Sequence, residues 1–298
     1  MATLQITDNR PSGDSHADGK AYFETSTNKM LVWNATAGAW VEIDSDGTGA
    51  AYLNQYSLSF GGDDYLELGT SVKTYFDGVQ GVSVRAVIKI PSLRSTNSVV
   101  FGQESADSGD NSLFTVRLNS SNKIDVIFRN SSGSYFIMDW ANPVSADTWY
   151  DVVAVFDGSS SDILLYVNGD LKNTKDTVTD TTYTSSSNAK FRFGATGHQT
   201  FLRGFEGLID EAAIFSYALS ASQVASLMDT SGANPVPADL SSFINNGLAA
   251  WYRMGDDSND SPVDGGSVAS ITDSSGNGYT ATQGTVSSRP TFSTSVPS

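Results

Sequence analysis

Cysteine is absent from this chain of 298 residues, and histidine occurs only twice, as His16 and His198. Without cysteine, neither a disulfide nor a thiolate metal site can form. Neither histidine lies in a nucleophile elbow or a zinc motif, because no G-x-S-x-G and no H-E-x-x-H pattern occurs. The sequence therefore disfavours a nucleophilic catalytic triad and a zinc hydrolase.

Basic residues are also scarce. The chain has 17 Lys and Arg against 33 Asp and Glu, for a formal net charge of -16. Such a surface repels nucleic acid and anionic membranes, so we expect neither as a partner. There is no 18-residue apolar run to span a membrane, and Met1–Asp8 lacks the pattern of a secretory signal. We expect synthesis and folding in a cytoplasm, and transport elsewhere by assembly.

Glycine and small polar residues are plentiful instead. The chain has 27 Gly, 39% hydrophobic residues and only 17% charged residues. This composition can fill a core and is typical of a turn-rich all-β protein rather than a disordered one. The length fits one large sandwich with appendages.

The middle of the chain carries the clearest strand patterns. Residues 82–90 alternate with a period of two, as in a half-buried strand. Leu113–Leu118, Lys123–Phe128 and Tyr135–Met138 predict a meander. Asn168-Gly169 predicts a type I′ hairpin turn, because both central residues need a positive φ.

A strand and a short helix close this region. The strand Leu208–Ile214 places Asp210 on one face and Glu211 on the other. Ser220 and Gln223 then have the spacing of a capping box, which predicts a helix start.

These motifs resemble laminin-G-like domains, the jelly-roll sandwiches related to concanavalin A. The resemblance rests on the opening Tyr56–Leu68, on Trp149–Gly169 and on the closing strand. It implies an all-β jelly-roll sandwich over residues 52–230, flanked by a small N-terminal β unit and a C-terminal extension. Such domains bind or assemble more often than they catalyse.

Residues 1–50 form the predicted N-terminal β unit, with three short strands and the aromatic residues Tyr22, Trp33 and Trp40. Three strands with one apolar face are marginally stable alone. We therefore expect these aromatics to anchor the chain on other protein. The unit is similar to modules in tail and head proteins of bacterial viruses.

Residues 231–298 form the predicted C-terminal extension. Gly247–Asp256 and Asp273–Gly278 resemble the opening of a second laminin-G-like unit, but too few residues remain to close a second sandwich. We expect one or two strands docked on the sandwich or on a neighbouring chain, followed by a loosely held end.

Calcium is the one candidate cofactor. It prefers six to eight oxygen ligands from carboxylates and carbonyls. The resemblance implies a rim site, and the matching positions are Asp63, Asp64, Asp210 and Glu211. The alternative is structural: Asp63 and Asp64 would make a turn, and Asp210 and Glu211 would bond loop amides.

Two candidate sites for sugars differ in chemistry. Trp140 and Tyr183 are candidate glycan contacts, because sugar binding uses exposed aromatic platforms beside polar loops. The alternating acids of Glu42–Asp46 are the only match to the acid pattern of glucanases. They lie at a strand end outside the sandwich, so we favour a solvated strand edge over an endoglycanase.

The resemblance to structural proteins of marine bacteriophage virions implies a non-enzymatic role. The chain would be a head decoration, knob or fibre on the virion exterior, acting by protein–protein assembly with other virion proteins. We expect a homo-oligomer, with a trimer by analogy to virion spikes. The alternative is a lectin-like receptor-binding module that recognises host surface glycan.

Overall fold

Two large sheets dominate the structure, a computed structural model. It describes residues 54–104, 112–176, 178–185, 189–196, 203–229 and 236–297, together with the backbone of four strands nearer the amino terminus. The strands in chain order are β1 (Gln5–Thr7), β2 (Ala21–Glu24), β3 (Lys29–Asn34), β4 (Ala39–Ile43), β5 (Ser57–Gly61), β6 (Leu66–Leu68), β7 (Gly81–Lys89), β8 (Ser98–Glu104), β9 (Ser112–Leu118), β10 (Ile124–Arg129), β11 (Tyr135–Asp139), β12 (Trp149–Asp157), β13 (Asp162–Val167), β14 (Asp170–Lys175), β15 (Lys190–Phe193), β16 (Glu206–Phe215), β17 (Met228–Asp229), β18 (Val236–Pro237), β19 (Leu248–Tyr252), β20 (Ser270–Ile271), β21 (Ala281–Thr282) and β22 (Thr291–Ser293).

Helical structure is sparse in the described residues. One α-helix, α1 (Ala221–Ala225), follows β16, and short 3₁₀ turns cover Thr70–Tyr75, Ser241–Phe243 and Val286–Ser288. No helix among these residues is long and apolar enough to cross a membrane.

The first unit, residues 1–53, contains a four-stranded sheet in the order β1-β2-β3-β4. Its last three strands are the ones that the sequence predicted, and they pair antiparallel. The first strand adds parallel to β2, so Gln5 lies opposite Tyr22. The side chains of Tyr22, Trp33 and Trp40 lie outside what the structure describes, so their anchoring role stays a prediction.

The second unit, residues 54–298, is the sandwich. One sheet has the order β11-β10-β9-β8-β15-β6-β21-β20, and the other has the order β14-β13-β12-β7-β16-β5-β22 with β19 beside β16. Apolar side chains from alternate positions fill the space between them, as the period of two requires. Phe128 of one sheet stacks on Phe156 of the other with ring centroids 4.4 Å apart. The predicted all-β jelly-roll fold is confirmed.

Local signals in the sequence correspond to the observed turns and caps. Asn168 and Gly169 have φ values of 53° and 78°, as a type I′ turn requires. Ser220 accepts a hydrogen bond from the Gln223 amide, and the Gln223 side chain bonds back to complete the capping box of α1. Both predictions are confirmed.

Strand β16 pairs with three other strands of its sheet. Along one edge it pairs with β7. Along the other edge its first half, Glu206–Ile209, pairs with β5, and its second half, Ala212–Phe215, pairs with β19. The change of partner falls at a β-bulge, where Glu211 has a positive φ of 42°. One strand therefore joins the start of the sandwich to its C-terminal segment.

The C-terminal segment completes both sheets. Within it β19 pairs with β16, β21 pairs with β6, and β22 pairs with β5. Trp251, Tyr252 and Phe292 are all at least nine-tenths buried. The sequence predicted a loosely held end here, but Phe292 and its strand are packed on the sandwich. The prediction was wrong because the few apolar residues that pack on the sandwich are a small fraction of this Ser/Thr-rich segment.

The outer face of the second sheet is also covered by chain from the C-terminal side. Arg85 and Asp151 form a fully buried ion pair there, with 2.8 Å between Nε and Oδ1. Arg85 also donates to the carbonyl oxygen of Leu227, just after α1. Removing one partner of such a pair leaves an uncompensated buried charge. The hydrogen bond from Arg85 to Leu227 therefore holds the chain that follows α1 against this face.

Removing residues 236–298 should prevent stable folding of the sandwich, because β5, β6 and the second half of β16 would each lose one of their two strand neighbours and become exposed edges. Circular dichroism and thermal unfolding of the truncated chain would measure this. Deletion of residues 1–53 is the control, and the remaining chain should keep a cooperative transition. A cooperative transition in the C-terminal deletion, at a temperature like that of the full chain, would contradict the pairing described here.

Candidate functional site

An open cavity of about 800 Å³ lies where four connections meet at one end of the sandwich. The β5–β6 turn, the β7–β8 loop, the β9–β10 turn and the approach to β16 each contribute to its wall. Apart from three glycines, every described lining residue is polar: Asp63, Arg94, Ser95, Thr96, Asn97, Ser120, Arg203 and Glu206.

Glycine allows two of these connections to touch. A Cβ atom added to Gly204 would lie 1.4 Å from the Gly62 carbonyl oxygen, so no other residue fits without a backbone shift. Gly62 itself has a φ of +96°, which side chains strongly disfavour. The Gly62 amide donates to the Phe205 carbonyl oxygen at 3.0 Å. These contacts hold the back of the cavity rigid.

Side-chain oxygens bind the remaining loops to one another. Asn97 Oδ1 accepts the Ser120 amide at 3.1 Å, and Asn122 Oδ1 accepts the Arg94 amide at 2.8 Å. Arg94 also forms an ion pair with Glu206, across the cavity wall. The β7–β8 loop is therefore positioned from both sides before any ligand arrives.

The charges in the cavity lining balance. Asp63 and Glu206 are acidic, and Arg94 and Arg203 are basic. The whole chain carries a formal net charge of -16, so this balanced site stands out from the acidic surface around it. Carboxylates accept hydrogen bonds, guanidinium groups donate them, and amides and hydroxyls do both. The lining can therefore match a neutral ligand that has many hydroxyl groups.

The sequence identified Asp63 for a different purpose and missed the other polar residues of this cavity. Arg94, Asn97, Ser120 and Glu206 come from separate parts of the chain, and only folding brings them together. The polar composition of residues 91–98 indicates a loop, but no spacing rule links that loop to Glu206. No sequence signal considered above would have assembled this set.

The two acids of the opening turn have separate roles. Asp64 accepts the Gly61 amide at 2.6 Å and so closes the turn that the sequence offered as the alternative to a calcium site. Partial burial raises the pKa of Asp64, against the lowering effect of that amide. Asp63 is exposed and lines the cavity.

Asp210 and Glu211 lie at the bulge of β16, at the other end of its pairing with β5. Both are fully buried. Asp210 accepts the Asn54 side-chain amide at 2.9 Å and the Glu211 backbone amide at 2.8 Å. Glu211 accepts the Trp251 indole N–H at 2.6 Å. The pair thus connects the residues before β5 to β19.

The four predicted calcium ligands do not converge on one ion. Gly61 pairs with Glu206 at one end of the β5–β16 ladder, and Leu58 pairs with Ile209 at the other, so Asp63 and Asp64 lie far from Asp210 and Glu211. In the described part of the chain, no group of three or more His, Cys, Asp or Glu side chains is arranged to hold a metal. Calcium binding by this chain stays a prediction.

The two predicted glycan-contact aromatics lie near opposite ends of β11. Trp140 packs edge-on against Tyr150, and the Lys172 ammonium lies 5.9 Å from its ring centre. Tyr183 has the Arg129 guanidinium 5.7 Å from its ring centre. Each ring is half-buried and contacts a cation. The two aromatics therefore do not form one shared platform.

A family model described as "Concanavalin A-like lectin/glucanases superfamily" matches residues 60–225, more than half of the chain. No curated protein matches the chain.

Several solved structures are similar to the chain at low sequence identity. A protein from Bacteroides ovatus with a proposed role in carbohydrate binding is 18% identical, with a TM-score of 0.58 over 93% of this chain and 70% of that one. A heptameric SAP-like pentraxin from Limulus polyphemus is 16% identical, with a TM-score of 0.47 over 62% and 86%. The CBM40 module of the Ruminococcus gnavus IT-sialidase is 15% identical, with a TM-score of 0.48 over 57% and 95%.

Replacing Asp210 with Asn should make the folded state less sensitive to rising pH. Burial, and then the neighbouring Glu211 and Asp256 carboxylates, raise the pKa of Asp210 well above its ordinary value. A carboxyl with a raised folded pKa stabilises the protein at low pH, and this contribution is lost as pH rises from the unfolded pKa towards the folded one. The Asn side-chain amide of the variant does not titrate, so the variant does not lose this contribution to stability.

Urea unfolding of the wild type and Asp210→Asn from about pH 4 to pH 8 would measure the effect. The stability of the wild type should fall more steeply with pH than that of the variant. Asp176→Asn, at an exposed acid, is the control and should follow the wild type. Parallel curves for the wild type and Asp210→Asn would contradict a raised pKa for the buried Asp210 carboxyl.

Proposed function

The chain belongs to the concanavalin A-like lectin/glucanases superfamily, and we propose that it is a lectin-like module that binds a glycan without cleaving it. The glycan occupies the cavity between Asp63, Arg94, Asn97 and Glu206. The observation that carries this proposal is that every described residue with a side chain in the lining is polar, in a cavity large enough for a small-molecule ligand.

The chemistry of the lining favours a sugar over other small molecules. Sites for small molecules span roughly 300–1,000 Å³ and are mostly apolar with a few polar groups. This cavity is of that size, but its described side chains are all polar. An apolar ligand would leave those groups unsatisfied. A polyhydroxylated ligand satisfies them, because each hydroxyl both donates and accepts a hydrogen bond.

The comparisons support the same class of ligand. The superfamily description includes lectins, and the Bacteroides ovatus protein of the same fold has a proposed role in carbohydrate binding. We take both as support for a glycan ligand and derive its location from the cavity itself.

The surroundings of the two carboxylates in the cavity support binding without cleavage. A glycosidase needs a pair of carboxyl groups in which one is a protonated acid. Such an acid is usually kept neutral by an apolar pocket. Here Asp63 is exposed, and the Glu206 side chain is 41% exposed and paired with Arg94. Both carboxylates are therefore suited to accept hydrogen bonds from sugar hydroxyls.

The virion structural role remains a second proposal. The observation that favours it is the separate unit of residues 1–53, with its own four-stranded sheet. Such a unit can attach the chain to other virion proteins while the sandwich binds host glycan. The two proposals are compatible, and electron microscopy of particles that contain this chain would test the second one.

A glycan array followed by isothermal titration calorimetry on the full chain would test the first proposal. Asp63→Ala should weaken binding about tenfold to a hundredfold, because hydrogen bonds to a charged group contribute roughly 1.5–3 kcal/mol. Asp176→Ala is the matched control, since Asp176 is also exposed but lies outside the cavity lining. Equal affinities in the two variants, or no bound glycan at all, would rule the proposal out.

A further inference from the structure

A second and smaller cavity lies on the other side of the β9–β10 turn. Its volume is about 350 Å³, and its wall comes from both sheets of the sandwich. The strands β10 and β11 supply Asp125, Ile137 and Asp139, and β14 supplies Asn173 and Lys175. The cavity therefore opens along the side of the sandwich where β11 and β14 are the outermost strands.

The two cavities are lined by consecutive residues of the β9–β10 turn. Asn119 lines the smaller cavity, and the next residue, Ser120, lines the larger one. Consecutive Cα atoms are only about 3.8 Å apart, so the cavities approach each other at this turn. No intervening loop among the described lining residues separates them.

The shared turn is rigid. Asn119 Oδ1 accepts the Ser121 amide at 2.9 Å and the Lys123 amide at 3.1 Å. Asn119 Nδ2 donates to Asp125 at 2.7 Å, inside the smaller cavity. On the other side, the Ser120 amide is bonded to Asn97 of the larger cavity. The relative position of the two cavities is thus fixed by side-chain hydrogen bonds.

The smaller cavity combines polar groups with an apolar contact. Asp139, which also accepts from the Lys123 ammonium at 3.2 Å, can accept from hydroxyl groups, and Lys175 can donate to them. Ile137 is 49% exposed, which provides an apolar surface for the C–H groups of a sugar ring. Asp125 is already held by Arg117 and Asn119, so it shapes the wall.

We propose that the two cavities are subsites of one extended site, and that the ligand is an oligosaccharide whose chain crosses the Asn119–Ser120 turn. This inference rests on the proposed glycan-binding function. One end of the oligosaccharide lies in the larger cavity, and the chain continues over the turn into the smaller one. A single sugar unit fills only part of the site.

Affinity should therefore rise with ligand length. Calorimetry with a series from monosaccharide to hexasaccharide, of the type that binds best on the array, would measure this. The affinity should increase until the ligand spans both cavities and then stay constant. Thr174→Trp fills the smaller cavity from an exposed position on β14. It should lower the affinity of long ligands about tenfold, as expected for losing one or two hydrogen bonds, and leave short ligands unaffected.

Leu171→Trp is the matched control. Leu171 is 51% exposed on the same strand but does not line the cavity, so this variant should bind every ligand like the wild type. Affinity that does not depend on chain length, or equal binding of long ligands by both variants, would overturn the extended site while leaving glycan binding in place. If the wild type binds no glycan at all, the proposed function itself is contradicted.

Discussion

The exchange of partners along β16 is the constraint on which the rest of the sandwich depends. This strand pairs first with β5 and then with β19, and the bulge at Asp210 and Glu211 marks the transition. The buried carboxylates there bond Asn54 on one side and the Trp251 indole on the other. Burying two adjacent acids is unfavourable unless hydrogen bonds compensate them. The bulge is therefore a structural junction between distant parts of the chain.

The cavity depends on this junction indirectly. The same β5–β16 ladder that ends at the bulge begins at Gly61 and Glu206, which line the cavity. Fixing one end of the ladder fixes the register at the other, because a slip of one residue would turn every side chain to the opposite face. The sheets thus supply rigidity, and the four connections at their end supply the polar groups that contact a ligand.

Sequence reasoning succeeded where the signal is local. The capping box at Ser220 and the turn at Asn168-Gly169 each lie within a few residues, and both are present as predicted. It failed where the determining contact is distant in sequence. The pairing of β22 with β5 joins residues more than two hundred positions apart, and no local sequence pattern predicts it.

The same distinction explains the outcome at the candidate site. Asp63, Asp64, Asp210 and Glu211 were grouped because a related fold implies it, yet the register of one ladder separates them into two pairs. Asp63 was identified, but its polar neighbours were not, since Arg94 and Glu206 are distant in sequence and meet only in the folded chain. Composition and spacing predict the elements, and the register of the sheets decides which side chains meet.

Hydrogen–deuterium exchange of the full chain, with and without a bound oligosaccharide, tests the central claim most directly. The account predicts slower exchange on binding in residues 61–64, 94–97, 119–123 and 203–206, with no change in β7 and β12 at the centre of the sandwich. Protection confined to other loops, or to residues 1–53, would place the ligand elsewhere and contradict the account.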